Sequence, residues 1–200
     1  MKILFALDKF LKSEGGADKL AKGVAATIQA SGIELKVVCA GNEDAETSLD
    51  KVPVAVRRLR KPAILRDSDY LRLAWNQEWL PLISREIESF APDLLLTQNL
   101  LAPASVAAAI KAGIPSAVFF HGYRCVSPTF FYGQDALTCP APSFWNLPLR
   151  HKLKWPLVKT GLALEKSAYG AAGSVIANSS YIEQVIGRFF RREAQVLYPV

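Results

Sequence analysis

Three places in this chain carry residue types that can do chemistry at a plausible spacing. His121 directly follows Ser116-Ala-Val-Phe-Phe, a short apolar run that predicts a buried strand. A histidine at the carboxyl end of such a strand can hydrogen-bond a hydroxyl or polarise a leaving group, and it titrates near neutral pH. It can equally be satisfied by a loop carbonyl, since buried polar groups find partners. Gly15-Gly16 stands between the apolar run Lys2–Leu7 and a pattern that puts Leu20, Val24, Ala25 and Ile28 on one helical face. Two glycines there allow the backbone to approach a ligand, and the helix N-terminus that follows favours anions. The same pair serves a plain turn. It is neither the full dinucleotide fingerprint nor a phosphate loop, because no Gly-Lys-Ser/Thr follows. The third place is Asn178-Ser179-Ser180, after Ser174-Val-Ile-Ala and before a helical run from Tyr181 to Phe190. These are favoured caps, and capping alone accounts for Asn178.

Cations and thiols add less. Arg57, Arg58 and Arg60 form a basic cluster with Lys61, and Arg124 follows His121 closely. They can stabilise charge on a departing anion, although most such clusters are solvated faces. Cys39 ends a predicted buried strand and reads as a small core residue. Cys125 and Cys139 bracket a loop and can meet in space, but no Cys-x-x-Cys is present and His151 is too far along to complete a zinc spacing. Neither a metal nor a cofactor is expected.

Positioning those residues requires an alternation of short strands and helices. Strands are predicted at Lys2–Leu7, Ile33–Cys39, Pro53–Leu59, Asp93–Gln98, Ser116–Phe120, Ser174–Ala177 and Gln195–Tyr198. Gly41–Lys51 reads as an acidic surface loop and Asn99–Pro103 as another loop. Ile64–Phe90 reads as one long helix or two, with Pro81 kinking or dividing it, and Trp75 and Trp79 on a core stripe. Ala104–Ala112 is a small-residue helix ended by Gly113, and Leu157–Tyr169 is another. Tyr123–Pro156 breaks the rhythm with five prolines among aromatics, the kind of long segment that is usually functional or mobile. This order predicts an α/β fold: a Rossmann-like, doubly wound, mainly parallel sheet with Lys2–Leu7 central and helices on both faces.

Composition sets the class. The chain has 200 residues, half of them hydrophobic, with a formal charge of +6 and a pI of about 9.3. That suits one domain with a substantial core and argues against disorder. The basic balance suggests an anionic ligand or surface without specifying nucleic acid, for which no binding module is recognisable. Nothing at the start reads as a secretory signal, and no run reaches the ~20 apolar residues of a membrane span. A cytoplasmic protein is expected. The mixture of aromatics and cations over 144–159 fits either a peripheral contact with the inner face of a membrane or an ordinary surface with snorkelling lysines.

Taken together, the strand-Gly-Gly-helix opening, the strand ending in His121, the Val-Ile-Ala-Asn-Ser strand and cap, and the final Val-Leu-Tyr-Pro-Val resemble the amino-terminal half of retaining GT-B glycosyltransferases of family 4. The resemblance covers nearly the whole chain. It implies transfer of a sugar from a nucleotide-sugar donor to a hydroxyl of a carbohydrate or lipid-linked acceptor, with anomeric configuration retained. It places Gly15 and Gly16 beside the donor diphosphate or the acceptor, and His121 near the transferring sugar as the catalytic residue. It puts Asn178, Ser179 and Arg124 among the substrate-binding groups. Nothing matches the family's paired-glutamate donor region, so residues 1–200 are expected to form one acceptor-side domain, inactive without a donor-binding domain. Two other functions remain open. One is a nucleotide-sugar epimerase of the same architecture; the other is a non-catalytic α/β module that meets a partner or membrane through its basic surface.

Overall fold

In the computed structural model, which describes residues 1–11, 15–59, 72–121, 149–152 and 155–198, the sheet grows from the first strand. β1 (Lys2–Leu7) is buried along five of its six residues, as a strand covered on both faces must be. α1 (Gly16–Ala30) returns the chain to β2 (Glu34–Gly41), which lies parallel to β1. The hairpin of β3 (Ala45–Leu49) and β4 (Val52–Arg58) follows, with β4 parallel to β2. α2 (Arg72–Phe90) crosses the sheet to β5 (Leu94–Gln98) on the other side of β1. A 3-10 turn (Asn99–Leu101) and α3 (Ala102–Ala112) lead to β6 (Ser116–Phe120). Beyond it come α4 (Leu149–Lys152), α5 (Trp155–Ala171), β7 (Ser174–Ala177), α6 (Ser180–Phe190) and β8 (Gln195–Val196).

The strand order is β3-β4-β2-β1-β5-β6-β7-β8, and every pairing except β3 with β4 is parallel. The predicted parallel sheet with a central first strand is therefore found. Its order reverses between β1 and β5, which makes the carboxyl ends of those two strands the topological switch point.

The two faces are covered unequally. Ala21 and Ala25 of α1 pack with Phe5, Leu7, Val37 and Val54 on one face. The other face carries Trp79, Ile83 and Ile87 of α2 with Ala104 and Ala108 of α3, and then α5 and α6 around Phe120, Tyr169 and Val185. Phe120 anchors this end, its ring 4.5 Å from Tyr169 and 5.5 Å from Phe190.

Three expectations are corrected. Gly41–Lys51 is not a loop, since it contains β3, an exposed polar edge strand. The turn to β4 has two central residues, Asp50 and Lys51, both at positive φ (50° and 69°), which suits the twist of a tight hairpin. Pro81 does not divide α2; it lies exposed within a continuous helix. Trp79 and Ile83, both fully buried, hold that helix to the sheet on either side of it. Asn99–Pro103 is helical and not a loop. Asn76 of α2 caps this turn from outside: its Oδ1 accepts from the Ala104 amide at 2.8 Å and its Nδ2 donates to the Leu100 carbonyl at 2.8 Å. Gly113 takes the expected left-handed C-terminal position with φ of 70°. The Trp79 indole donates to Ser105 at 2.9 Å, which satisfies its one polar atom inside the core. Most of Tyr123–Pro156, with Cys125 and Cys139, lies outside the described residues.

Candidate functional site

Because β1, β5, β6 and β7 run parallel, the residues just past their carboxyl ends share one edge of the sheet. Gly15 and Gly16 start α1 there, and His121 follows β6 and Asn178 follows β7. The predicted residues are thus on one edge. Arg124 lies outside the described residues.

The side-chain period of two decides which face each belongs to. Phe119 is paired with Gln98 in register, and His121 is two residues further on. All three therefore stand on the face covered by α1, and the His121 ring lies parallel to the Phe119 ring at 5.9 Å, with 8° between their planes. Gln98, fully buried at the end of β5, meets the histidine: its Oε1 lies 2.6 Å from His121 Nε2. In the Nε2–H tautomer this contact is a hydrogen bond from the ring to the amide oxygen, with the lone pair on Nδ1. Burial pushes the His121 pKa down to about 4, and the ring is neutral at physiological pH. The partner is a side-chain amide in place of the loop carbonyl expected in the alternative reading, and either satisfies a histidine at this position. The Gln98 amino group, Nε2, is buried with no hydrogen-bond partner among the described residues.

Asn178 joins the same group. Its backbone amide donates to Phe120 O at 3.3 Å, and its Nδ2 lies 3.4 Å from the His121 carbonyl. It is not the cap of α6. Ser179 is, with extended backbone angles and its Oγ accepting from the Ile182 amide at 3.3 Å. The cap falls one residue later because Asn178 still follows the β7 register.

At the other end of this edge, α1 begins without a side-chain cap, and Gly15 is its N-cap residue. Neither Gly15 nor Gly16 has a positive φ, and a Cβ on Gly16 would meet nothing within 4 Å. Backbone strain demands neither glycine, and packing within the described chain does not demand Gly16. The helix carries one acidic residue in its first turn, Asp18, which is buried.

The basic cluster is a different matter. Arg57 bridges Glu86 of α2 and Glu46 of β3, and Lys36 Nζ lies 2.8 Å from Glu86 Oε2 as an ion pair without hydrogen-bond alignment. Burial works against the Arg57 charge, and its hydrogen bonds to Glu46 and Glu86 outweigh that, raising its pKa above the ordinary value. Its charge is committed to pinning α2 and the hairpin onto the sheet. Arg58 is exposed, and Arg60 lies outside the described residues. Cys39 is the buried core thiol expected; burial pushes its pKa up to about 11, with the Asp8 charge adding and Arg57 opposing. Among the described residues no three His, Cys, Asp or Glu side chains gather as a metal site. Among them, too, no helix is long and apolar enough to cross a membrane.

Gln98 was missed in the sequence, although it has the signature that marked His121: a polar residue closing an apolar strand.

Solved structures share this architecture. The chain superposes on the sucrose-phosphate synthase of Thermosynechococcus elongatus with a TM-score of 0.64 at 12% identity, covering 99% of this chain and 47% of that one. Os79 from O. sativa, in complex with UDP and deoxynivalenol-3-glucoside, gives 0.61 at 12% identity, covering 100% and 52%. The UDP-GlcNAc 2-epimerase of Methanocaldococcus jannaschii gives 0.59 at 11%, covering 99% and 45%. The chain thus spans about half the length of these proteins, and likeness at such identities establishes the fold. No curated protein sequence is significantly similar to it. The glycosyl transferase 4-like domain family, by contrast, matches residues 15–199, from the first glycine of α1 almost to the end. The family resemblance read from the sequence holds: this chain belongs to the glycosyl transferase 4-like domain family.

Proposed function

We propose that the chain is the amino-terminal, acceptor-side domain of a glycosyltransferase that moves a sugar from a nucleotide-sugar to an acceptor hydroxyl with retention. The observation that carries this reading is the neutral, half-buried His121 held by Gln98 at the edge of the sheet, one strand from the switch point. A neutral imidazole with a free lone pair accepts a hydrogen bond from a sugar hydroxyl and adds no charge of its own. Charge on the departing diphosphate then has to be met elsewhere. The uncapped start of α1 at Gly15 and Gly16 offers backbone donors and the positive end of a helix dipole. Arg124 is the cation assigned to this task, since Arg57 is already paired. Asn178 holds the His121 backbone, and Ser179 caps the helix behind it.

The donor is a nucleotide-sugar, with UDP-sugars the first to try because the structure of Os79 was obtained with UDP. The acceptor is a carbohydrate or a lipid-linked hydroxyl. In the second case 144–159 supplies the peripheral contact with the membrane. A separate domain supplies most of the donor site, and the 200 residues alone do not turn over. Productive geometry between donor and acceptor is worth roughly 7–11 kcal/mol of barrier, which one half of a cleft does not provide.

The test incubates the 200-residue chain and the full-length protein with UDP-, GDP- and ADP-sugars and a panel of acceptors, and reads the anomeric configuration of any product by NMR. Transfer with retention by the full-length protein, lost in His121→Ala, is the expected result. Transfer by the 200 residues alone at about 1 per second or more would overturn the division of labour. Interconversion of a UDP-sugar with its C2 epimer, with no transfer, would replace the transferase by an epimerase.

A further inference from the structure

We propose that Gln98 is the positioning residue of this site: it fixes the His121 imidazole as the Nε2–H tautomer and so makes Nδ1 the nitrogen presented to a ligand hydroxyl. The proposal rests on the reading of His121 as a site residue.

The geometry has three parts. Gln98 ends β5 and His121 follows β6, two strands adjacent and parallel, so the sheet itself sets their separation. The 2.6 Å contact joins Gln98 Oε1 to His121 Nε2, and among the described residues no hydrogen bond engages the other ring nitrogen. The ring plane is set by the parallel Phe119 ring, and the backbone behind it by Asn178 Nδ2 at the His121 carbonyl. Gln98 is fully buried, and with its carbonyl on the histidine its amino group has no partner among the described residues. A buried orphan donor is rare enough to need a reason, and orientation of the imidazole supplies one. A side-chain acceptor behind one histidine nitrogen is the device by which proteins select the tautomer of the other.

A glutamine differs here from the carboxylate that often holds a histidine. A carboxylate stabilises the imidazolium, whereas an amide accepts the Nε2–H and adds no charge. The combination keeps the ring a hydrogen-bond acceptor at Nδ1, not a cation. That choice suits a group meant to receive a hydroxyl proton's hydrogen bond.

The chain holds two histidines, His121 and His151, so selective 15N-histidine labelling gives two sets of ring signals and His151→Gln assigns them. The expected spectrum shows His121 as one tautomer, protonated at Nε2, with a ring proton protected from exchange with water. In Gln98→Leu that protection is lost and the Nδ1–H form becomes populated. Leucine removes the orphan amino group while leaving the imidazole proton unpaired, so the fold should be retained, which the backbone spectrum checks. A second arm measures sugar transfer by the full-length protein. There Gln98→Leu should lower kcat roughly 10- to 100-fold, the usual range for loss of an orienting partner behind a functional histidine. Gln98→Glu should also be impaired near neutral pH and recover as the pH is raised, because its carboxylate favours a proton on Nδ1. A wild-type His121 protonated at Nδ1, or ring signals unchanged in Gln98→Leu, would overturn the proposal. So would full transfer by Gln98→Leu when His121→Ala is inactive. Transfer unaffected by both substitutions would instead overturn the reading of His121 as a site residue.

Discussion

Two polar clusters sit against the apolar body of this sheet, and they are finished differently. On the α2 side, Arg57 and Lys36 meet Glu86 and Glu46, two cations with two carboxylates. On the α1 side, Gln98, His121 and Asn178 carry no charge at neutral pH and leave an amino group without a partner among the described residues. The first cluster closes on itself and has no charge to spare for a ligand. The second is incomplete, and it lies at the edge of the sheet where ligands bind in such folds. The difference teaches that a strongly charged residue near the right edge is poor evidence of function here. Arg57 has the residue type expected at a diphosphate, yet its hydrogen bonds assign it to the scaffold. Gln98 is uncharged, and its contact with His121 at that edge marks it out.

The comparison breaks most easily at Glu86. Its side chain is 7% exposed and takes charge from Lys36 and Arg57, which are 20% and 18% exposed. Glu86→Gln keeps the shape and leaves two part-buried cations undercompensated. Breaking a buried pair from one side costs about 3–5 kcal/mol, and the access of both cations to water points to the lower figure. Denaturant unfolding of the variant should therefore show a loss of about 3 kcal/mol, with the His121 ring signals unmoved. A loss below about 1 kcal/mol, the range of surface pairs, would mean that the two clusters are not the different kinds of object described above.

His121 gives the next effect, with the opposite dependence on the medium. Its folded pKa of about 4 lies below the ordinary histidine value of 6.5. Between those values the unfolded chain takes up a proton that the folded site refuses. Its contribution is therefore intact above about pH 6.5, declines as the pH falls towards about 4, and changes no further below that. At 1.36 kcal/mol per unit the full decline is at most about 3 kcal/mol. Stability measured at pH 7 and at pH 4 should fall more in the wild type than in His121→Gln, and the difference between them isolates this group from the titrating carboxylates. Equal slopes would show that the imidazole is more solvated than its place beside Gln98 and Phe119 implies.

What the sequence made legible follows the same division. Strands such as Lys2–Leu7 and Ser116–Phe120 were readable because a strand buried on both faces is a continuous apolar run bounded by polar residues. His121 and Asn178 fell on one edge with the start of α1 because parallel strands put all their carboxyl ends together, while Arg124 lies outside the described residues. The hairpin strand Ala45–Leu49 was not readable: it is polar and exposed, and its turn uses Asp50 and Lys51 at positive φ where glycine or asparagine would have signalled a hairpin. Pro81 misled because a proline that breaks an isolated helix can be carried by one anchored through Trp79 and Ile83. The commitment of Arg57 to Glu86 was invisible because the two lie 29 residues apart and meet only through the packing of α2 on the sheet.

A smaller effect separates Asn178 from Ser179, which the sequence had grouped as one cap. Ser179→Ala should cost about 1 kcal/mol, the usual value of a lost N-cap, because the Ile182 amide loses its acceptor. Asn178→Ala should cost less, as its bond to the His121 carbonyl is long at 3.4 Å, but it should move the His121 ring signals where Ser179→Ala does not. Thermal unfolding and the histidine spectrum read the two separately, and the reverse pattern would return Asn178 to a capping role.

The smallest effect on stability sharpens the comparison most, because it sets stability and function against each other at one atom. Gly16 opens α1 with no positive φ, and an added Cβ would meet nothing within 4 Å. Judged on the described chain alone, glycine there only adds freedom to the unfolded state. Gly16→Ala should then stabilise by about half a kcal/mol, within the usual range for a compatible glycine replacement. If the open space in front of α1 is where a phosphate or an acceptor comes against the backbone, the same methyl group stands in its way. The expected result is a fold as stable as the wild type or slightly more so, with weaker binding of UDP or acceptor by the full-length protein, read by calorimetry. Unchanged affinity together with the gain in stability would make Gly15-Gly16 an ordinary turn and confine the site to the edge around Gln98, His121 and Asn178. A loss of stability would mean that the space is filled by the protein itself, and the uncapped helix start would no longer be available to a ligand.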